Sequence, residues 1–252
     1  MTEKRLNFID SLRGITICSM VLYHAFWDLT YIYRLNLPFM RTQGAFLWQQ
    51  SICWSFILIS GFCWSLGRHP VRHGLRVFAL GLLITGITVW IMPGQRIVFG
   101  ILTFLGSAML MMYPLDHFLR KIPSATGAIL SFFLFLSCYN INQGLIGFSF
   151  LTGRLPESLY RNYYTTYLGF PFKGFYSTDY FSILPWFFLY LAGYYLYKIS
   201  MIYIIDNKDP FICSENFFSR IGRKSLLIYI IHQPCITTIL TVVFHAIHLH
   251  NR

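Results

Sequence analysis

Ionisable side chains in the first apolar stretch have the types and spacing of a proton-transfer site. Arg13 and His24 are eleven positions apart, which on a helix places them within about 20° of each other. Asp28 follows His24 at i+4, so its carboxylate can approach one imidazole nitrogen and leave the other to accept a proton. The pattern predicts a general base at His24, with a structural hydrogen-bonding histidine as the alternative.

A second polar group lies in the last apolar stretch, at His232, Gln233 and Pro234. A proline inside a helix frees a backbone carbonyl, and the glutamine adds a donor and an acceptor at membrane depth. These residues are typical of a pocket wall in a catalytic site. The alternative is polar contact between helices that holds the last helix in place.

Three arginines in one short polar segment, Arg68, Arg72 and Arg76, suggest a phosphate site. Guanidinium groups pair well with phosphate, so these side chains and Arg13 are candidate contacts for a nucleotide-bearing donor such as coenzyme A. The alternative is a basic loop that sets membrane orientation and contacts anionic lipid headgroups.

The composition indicates that membrane helices position these groups. Of 252 residues, 56% are hydrophobic and only 12% are charged, against about 25% charged in a soluble domain. The net charge of +11 falls in short clusters between apolar runs, which is typical of cytoplasmic loops and argues against a nucleic-acid partner. The six cysteines form no CxxC pair, and no metal site is expected.

The predicted fold is all-α, a polytopic transmembrane helix bundle that forms a single domain over residues 1–252. Most of the 20 Lys and Arg residues lie on one side when the N-terminus is cytoplasmic, and this predicts a multi-pass protein of the cell membrane. No cleavable signal peptide is expected, because the first apolar run contains the ionisable residues. The seven predicted spans are Leu12–Tyr33, Ala45–Leu66, Leu75–Met92, Ile97–Tyr113, Ser124–Tyr139, Phe181–Ile199 and Ser225–Ile247.

A segment of some forty residues, 141–180, separates the fifth and sixth predicted spans. It is rich in Tyr, Phe, Gly and Arg, too polar to span a membrane and too aromatic to be disordered. Two interpretations stay open from the sequence: a cap that binds an acceptor over the mouth of the bundle, or an amphipathic loop at the membrane interface.

Four sequence blocks, taken together and in order, resemble one known family. They are Ile9-Asp-Ser-Leu-Arg-Gly-Ile with His24-Ala-Phe-Trp-Asp-Leu, Val98-Phe-Gly-Ile-Leu-Thr-Phe-Leu-Gly-Ser, Leu184-Pro-Trp-Phe and Ile221-Gly-Arg-Lys-Ser-Leu-Leu-Ile-Tyr-Ile-Ile-His-Gln-Pro. The chain resembles the bacterial branch of the heparan-α-glucosaminide N-acetyltransferase catalytic-domain family over nearly its whole length. The opening block by itself also resembles the larger acyltransferase-3 membrane family.

The resemblance implies an acetyltransferase that takes acetyl groups from cytosolic acetyl-CoA and delivers them to an extracytoplasmic amino sugar or other glycan, or a lipid. Relatives also suggest a homodimer. On this hypothesis His24, oriented by Asp28, deprotonates the acceptor, while His232 and Gln233 hold the thioester carbonyl. The CoA phosphates would contact Arg13, Arg68, Arg72 and Arg76. Direct transfer and an acetyl-histidine intermediate stay open.

Two other functions fit the same residues. In a non-enzymatic transporter or lipid-binding membrane protein, His24 and Asp28 would form a proton or substrate site. An O-acyltransferase of the acyltransferase-3 type would differ in the acceptor atom that it modifies. A thermal shift with CoA distinguishes the transporter from both enzymes.

Overall fold

The structure, a computed structural model, describes residues 7–148, 151–206 and 214–250. Lys4, Arg5 and Lys208, which contribute to the predicted orientation, lie outside the described residues. The chain divides into two compact units: the first comprises residues 1–56 and 207–252, and the second residues 57–206. The single domain stays a prediction.

The first unit is built mainly from the two ends of the chain. It contains α1 (Asn7–Tyr31), a 3-10 turn (Pro38–Arg41), the first part of α2 (Gln43–Trp64), α8 (Phe217–Gly222) and α9 (Ser225–His250).

The chain ends of the first unit run parallel. The Ser11 hydroxyl donates to the side-chain oxygen of Asn216 at 3.0 Å, and the hydroxyls of Tyr33 and Thr241 lie 2.8 Å apart. Because these contacts advance in the same direction along both chain segments, α1 follows α8 and α9 from one end to the other.

Two glycines allow α1 and α8 to approach each other at backbone distance. A Cβ at Gly14 would overlap the carbonyl oxygen of Phe218, and a Cβ at Gly222 would overlap that of Asp10. Only a residue without a side chain fits at either position. The glycines of the first and last sequence blocks therefore belong to one helix contact.

The second unit holds the remaining elements. These are the rest of α2, α3 (Pro70–Ile91), a 3-10 turn (Pro93–Gln95), α4 (Ile101–Leu119), α5 (Ser124–Cys138), a 3-10 turn (Ile141–Gln143), β1 (Leu145–Ile146), β2 (Gly153–Arg154), a 3-10 turn (Glu157–Leu159), α6 (Tyr163–Leu168) and α7 (Ile183–Asp206). β1 and β2 pair antiparallel, with Leu145 opposite Arg154.

The prediction of a mostly helical membrane protein is confirmed, whereas the count of seven spans is not. In the described ranges, four helical segments are long and apolar enough to cross a membrane: Gln43–Trp64, Pro70–Ile91, Ser124–Gln143 and Ser225–Ile247. The other three predicted spans coincide with α1, α4 and α7, and the first two of these helices bury aspartates. Buried polar side chains lower the hydropathy of a helix that packs against protein.

The predicted end of the fourth span at Tyr113 was wrong, because α4 continues through Pro114 to Leu119. Residues beyond the proline are held by tertiary contacts. The buried carboxylate of Asp116 accepts a hydrogen bond from Tyr194 on α7 and pairs with Arg120. These interactions compensate for the backbone hydrogen bond that the proline removes.

Candidate active site

Two histidines from opposite ends of the sequence meet in the first unit. The imidazole centroids of His24 on α1 and His232 on α9 are 4.9 Å apart, with the ring planes at 56°. His232 is 8% exposed, and His24 is half-buried. The edge of Tyr23 also contacts His24. The structure thus brings together two of the four residues that the sequence predicted as catalytic.

The surroundings of His232 define which of its nitrogens carries a proton. Its Nδ1 lies 2.5 Å from the backbone carbonyl oxygen of Tyr229. A carbonyl oxygen only accepts, so Nδ1 carries the hydrogen and donates it. In the neutral ring Nε2 then has a free lone pair. His232 therefore has the orientation and tautomer of a proton acceptor.

Asp28 and Gln233, the other two predicted catalytic residues, bind each other. The Gln233 Nε2 donates to both carboxylate oxygens of Asp28, at 3.1 and 3.0 Å, and Asp28 is fully buried. Within the described ranges no hydrogen bond joins Asp28 to His24, and the orienting role of Asp28 stays a prediction. Asp28 binds Gln233 on α9 because the amide of Gln233 supplies the hydrogen-bond donor that a buried carboxylate needs.

This contact also fixes the orientation of the Gln233 amide. Since Nε2 faces Asp28, the carbonyl Oε1 faces away, and this atom is buried without a hydrogen-bond partner in the described part of the chain. A buried acceptor without a donor costs about 1–3 kcal/mol. The site therefore contains an acceptor oxygen that a bound molecule with a donor group would satisfy.

Arg13, a predicted CoA contact, lies near the start of α1 in an ion pair with Asp10 at 3.0 Å. Arg223 also contacts Asp10, at 3.6 Å, and donates to the side chains of Glu215 and Asn7 at 3.1 and 2.9 Å. The sequence patterns above did not predict this cluster. Its signal was present, because Asp10 and Arg223 both belong to blocks that carry the family resemblance.

The other three predicted CoA contacts belong to the second unit. Arg68 precedes α3, and Arg72 and Arg76 lie on its first two turns, with all three side chains exposed. Their position suits a soluble anion as well as a lipid headgroup.

The described part of segment 141–180 is folded against the start of α4. The backbone N–H of Thr178 donates to the carbonyl of Arg96 at 3.1 Å, and the Asp179 carboxylate accepts from the N–H of Ile101 at 3.1 Å. The hydroxyl of Tyr167 bonds to Ser107, and that of Tyr180 donates to the carbonyl of Thr166.

The pKa values of these tyrosines reflect that packing. Burial raises the pKa of Tyr167 and of Tyr180 above the usual value for a phenol. The aromatic residues of this segment therefore form a packed structure, although a role in acceptor binding stays a prediction.

A metal site would need at least three His, Cys, Asp or Glu side chains close together. Considering only residues 7–148, 151–206 and 214–250, no three His, Cys, Asp or Glu side chains lie close enough to hold a metal ion.

A comparison with protein families connects this geometry to an activity. The model of the heparan-alpha-glucosaminide N-acetyltransferase catalytic family matches residues 5–234, a range that includes His24, Asp28, His232 and Gln233. No curated protein and no solved structure matches the chain. Because the family model covers nearly the whole sequence, the chain belongs to the heparan-alpha-glucosaminide N-acetyltransferase catalytic family and is a membrane acetyltransferase.

Proposed function

We propose that this protein transfers the acetyl group of cytosolic acetyl-CoA directly to an amine on an extracytoplasmic acceptor, an amino sugar or a similar molecule. The observation that carries the proposal is the pair of unused acceptor atoms on α9, His232 Nε2 and Gln233 Oε1. The seven-span topology with a cytoplasmic N-terminus belongs to the same proposal. Family membership supports the reaction type.

His232 is the general base in this mechanism. The amine nitrogen attacks the thioester carbonyl carbon while Nε2 of His232 removes one proton, so the C–N bond forms and the C–S bond breaks. The imidazolium then returns the proton to the CoA thiolate. The carbonyl of Tyr229 takes the orienting role that the sequence analysis gave to Asp28. The Nδ1 proton of His232 therefore stays hydrogen-bonded to the carbonyl of Tyr229, while Nε2 takes up and releases the transferred proton.

His24 has the complementary role. Its ring contacts His232, and within the described ranges no protein atom forms a hydrogen bond with it. A neutral imidazole carries one N–H, which can donate to the thioester oxygen as negative charge develops there. The two histidines thus exchange the roles that the sequence analysis assigned to them.

Gln233 favours an amine over a hydroxyl. A neutral primary amine has two hydrogens, so it can donate one to His232 and one to the Gln233 Oε1 at the same time. A hydroxyl has one hydrogen and leaves one of the two acceptors unsatisfied, at a cost of about 1–3 kcal/mol. This difference corresponds to about a 5- to 150-fold preference for the amine.

The donor would bind through its phosphates to Arg13 in the first unit, whereas Arg68, Arg72 and Arg76 of the second unit stay candidates from the sequence. Arg13 lies on the face of α1 that carries His24, about 16 Å along the helix. Exchange of Arg13 for glutamine is expected to raise the CoA dissociation constant more than it slows transfer in the bound state. An unchanged dissociation constant would count against this docking model.

The main test is single-turnover transfer by the purified full chain in nanodiscs, with acetyl-CoA and glucosamine as probes. His232→Ala should slow transfer about 10²- to 10⁴-fold, which is the usual contribution of a general base. His245→Ala, an exposed histidine on the same helix, is the matched control and should leave the rate unchanged. Transfer by His232→Ala within a few-fold of the unaltered protein eliminates the mechanism.

A second experiment tests the acceptor atom. Glucose differs from glucosamine in carrying a hydroxyl where the amine stands, so the ratio of the two transfer rates measures the preference. The unaltered protein should prefer the amine, and Gln233→Met should reduce that preference by removing Oε1. Both measurements are accompanied by the melting temperature of the protein with and without CoA. A melting temperature that CoA does not raise would favour the alternative function, a non-enzymatic transporter.

A further inference from the structure

A charged cluster at the end of α4 lies outside the machinery assigned to acetyl transfer. Asp116 is buried in the last turn of that helix. Its Oδ1 accepts from the hydroxyl of Tyr194 at 2.7 Å, and its Oδ2 lies 2.5 Å from an Nη2 of Arg120. Each oxygen of the Asp116 carboxylate therefore has a partner.

A second cation, Lys198, interacts electrostatically with this carboxylate. The Nζ of Lys198 lies 5.0 Å from the ring centroid of Tyr194 and 5.7 Å from that of Tyr195. Among the side chains that the structure describes, no carboxylate oxygen lies within ion-pair distance of it. The two rings attract the ammonium and limit its movement, and its N–H groups form no hydrogen bond with the residues that the structure describes.

The positions of these residues leave an excess of positive charge. Lys198 interacts electrostatically with both Asp116 and Arg120. One carboxylate faces two cations, and the side chain of Arg120 is 69% exposed, so most of its guanidinium donors are open to a ligand. One singly charged anion would balance the cluster.

The depth of the cluster matches that of a lipid headgroup. α4 has 19 residues and is about 28 Å long, close to the hydrocarbon thickness of about 30 Å. In the seven-span topology proposed above, on which this step rests, α4 crosses the membrane and its last turn lies at the interface, on the side that the basic residues predict as cytoplasmic. Basic sites between helices at this depth bind phospholipid phosphates.

We propose that Arg120 and Lys198 bind the phosphodiester of an anionic phospholipid where the end of α4 lies beside α7. The planar guanidinium of Arg120 can donate two parallel hydrogen bonds to the phosphate, and Lys198 contributes a compact charge from the adjacent helix. This site does not depend on the acetyl-transfer mechanism, since it lies entirely within the second unit.

The test is the melting temperature of the full chain in detergent during titration with short-chain phosphatidylglycerol. At about ten times the dissociation constant, binding should raise the melting temperature by about 3–6 °C. Short-chain phosphatidylcholine at the same concentration should not. Lys198→Met keeps most of the side-chain volume and should abolish the shift, whereas Lys198→Arg should retain it.

Lys121→Met is the matched control, because Lys121 is an exposed lysine near the same helix end. This variant should respond to phosphatidylglycerol like the unaltered protein. An equal shift in Lys198→Met, or an equal effect of phosphatidylcholine, overturns the proposal. Inorganic phosphate and CoA test the other sources of phosphate, and a Lys198-dependent shift as large as that of the lipid with either one also overturns it.

Discussion

Replacing Gly222 by alanine tests how α1 positions His232 on α9, the general base of the proposed mechanism. Gly222 ends α8, and α9 begins at Ser225. A Cβ at this glycine would overlap the carbonyl oxygen of Asp10 and lie 2.8 Å from the carbonyl carbon and 2.9 Å from the amide nitrogen of Gly14. Ordinary contacts begin at 3.4 Å, so relieving the overlap with the Asp10 oxygen requires the two backbones to separate by roughly an ångström or more.

The cost follows from this displacement. Overpacking of a tight contact destabilises by about 1–3 kcal/mol. For a chain of this size each kcal/mol lowers the melting temperature by about 2–4 °C, so a fall of about 2–12 °C is expected. His232 lies two turns into α9 and moves with it. Because a misplacement of about 1 Å costs about 10²-fold in rate, acetyl transfer should slow by about 10- to 100-fold.

The assay combines differential scanning fluorimetry with single-turnover transfer on the purified full chain. Gly86→Ala is the matched control, since Gly86 lies within α3 and a Cβ there meets no atom within 4 Å. Alanine is favoured over glycine in a helix by about 1 kcal/mol, so this control should melt at the same temperature or higher. A Gly222→Ala variant that is as stable and as active as the unaltered protein would refute the reasoning.

Three further predictions concern other parts of the structure. Asp28→Asn should slow amine acetylation about tenfold or more in the single-turnover assay, because it weakens charge-assisted hydrogen bonds to Gln233 worth about 1.5–3 kcal/mol; an unchanged rate would contradict this role. Asp179→Ala removes a cap from α4 worth about 1 kcal/mol and should lower the melting temperature by about 2–4 °C, so an unchanged value would show that the cap is dispensable. The raised pKa values of Tyr167 and Tyr180 favour their neutral forms in the folded protein, so their contribution to stability is complete below pH of about 10 and declines as the pH rises further; a melting temperature that stays constant to pH of about 11 would contradict this.

Local sequence patterns predicted the helices well. Long apolar runs indicate helices because every backbone polar group must be satisfied inside a membrane, and each of the seven predicted spans coincides with a long helix. The end of α4 was mispredicted because Pro114 is a local signal, whereas the contacts of Asp116 that extend the helix come from elsewhere in the chain. The number of helices that cross a membrane was likewise not fixed by apolar runs alone.

The sequence by itself determined the helical membrane class, the family and the four catalytic candidates, because these depend on composition, periodicity and ordered motifs. Only the tertiary structure decided the partners of those candidates. Asp28 binds Gln233, 205 positions away, and His24 meets His232 because α1 and α9 run side by side. Helical periodicity reports which residues share a face of one helix, and it carries no information on which other helix packs against that face.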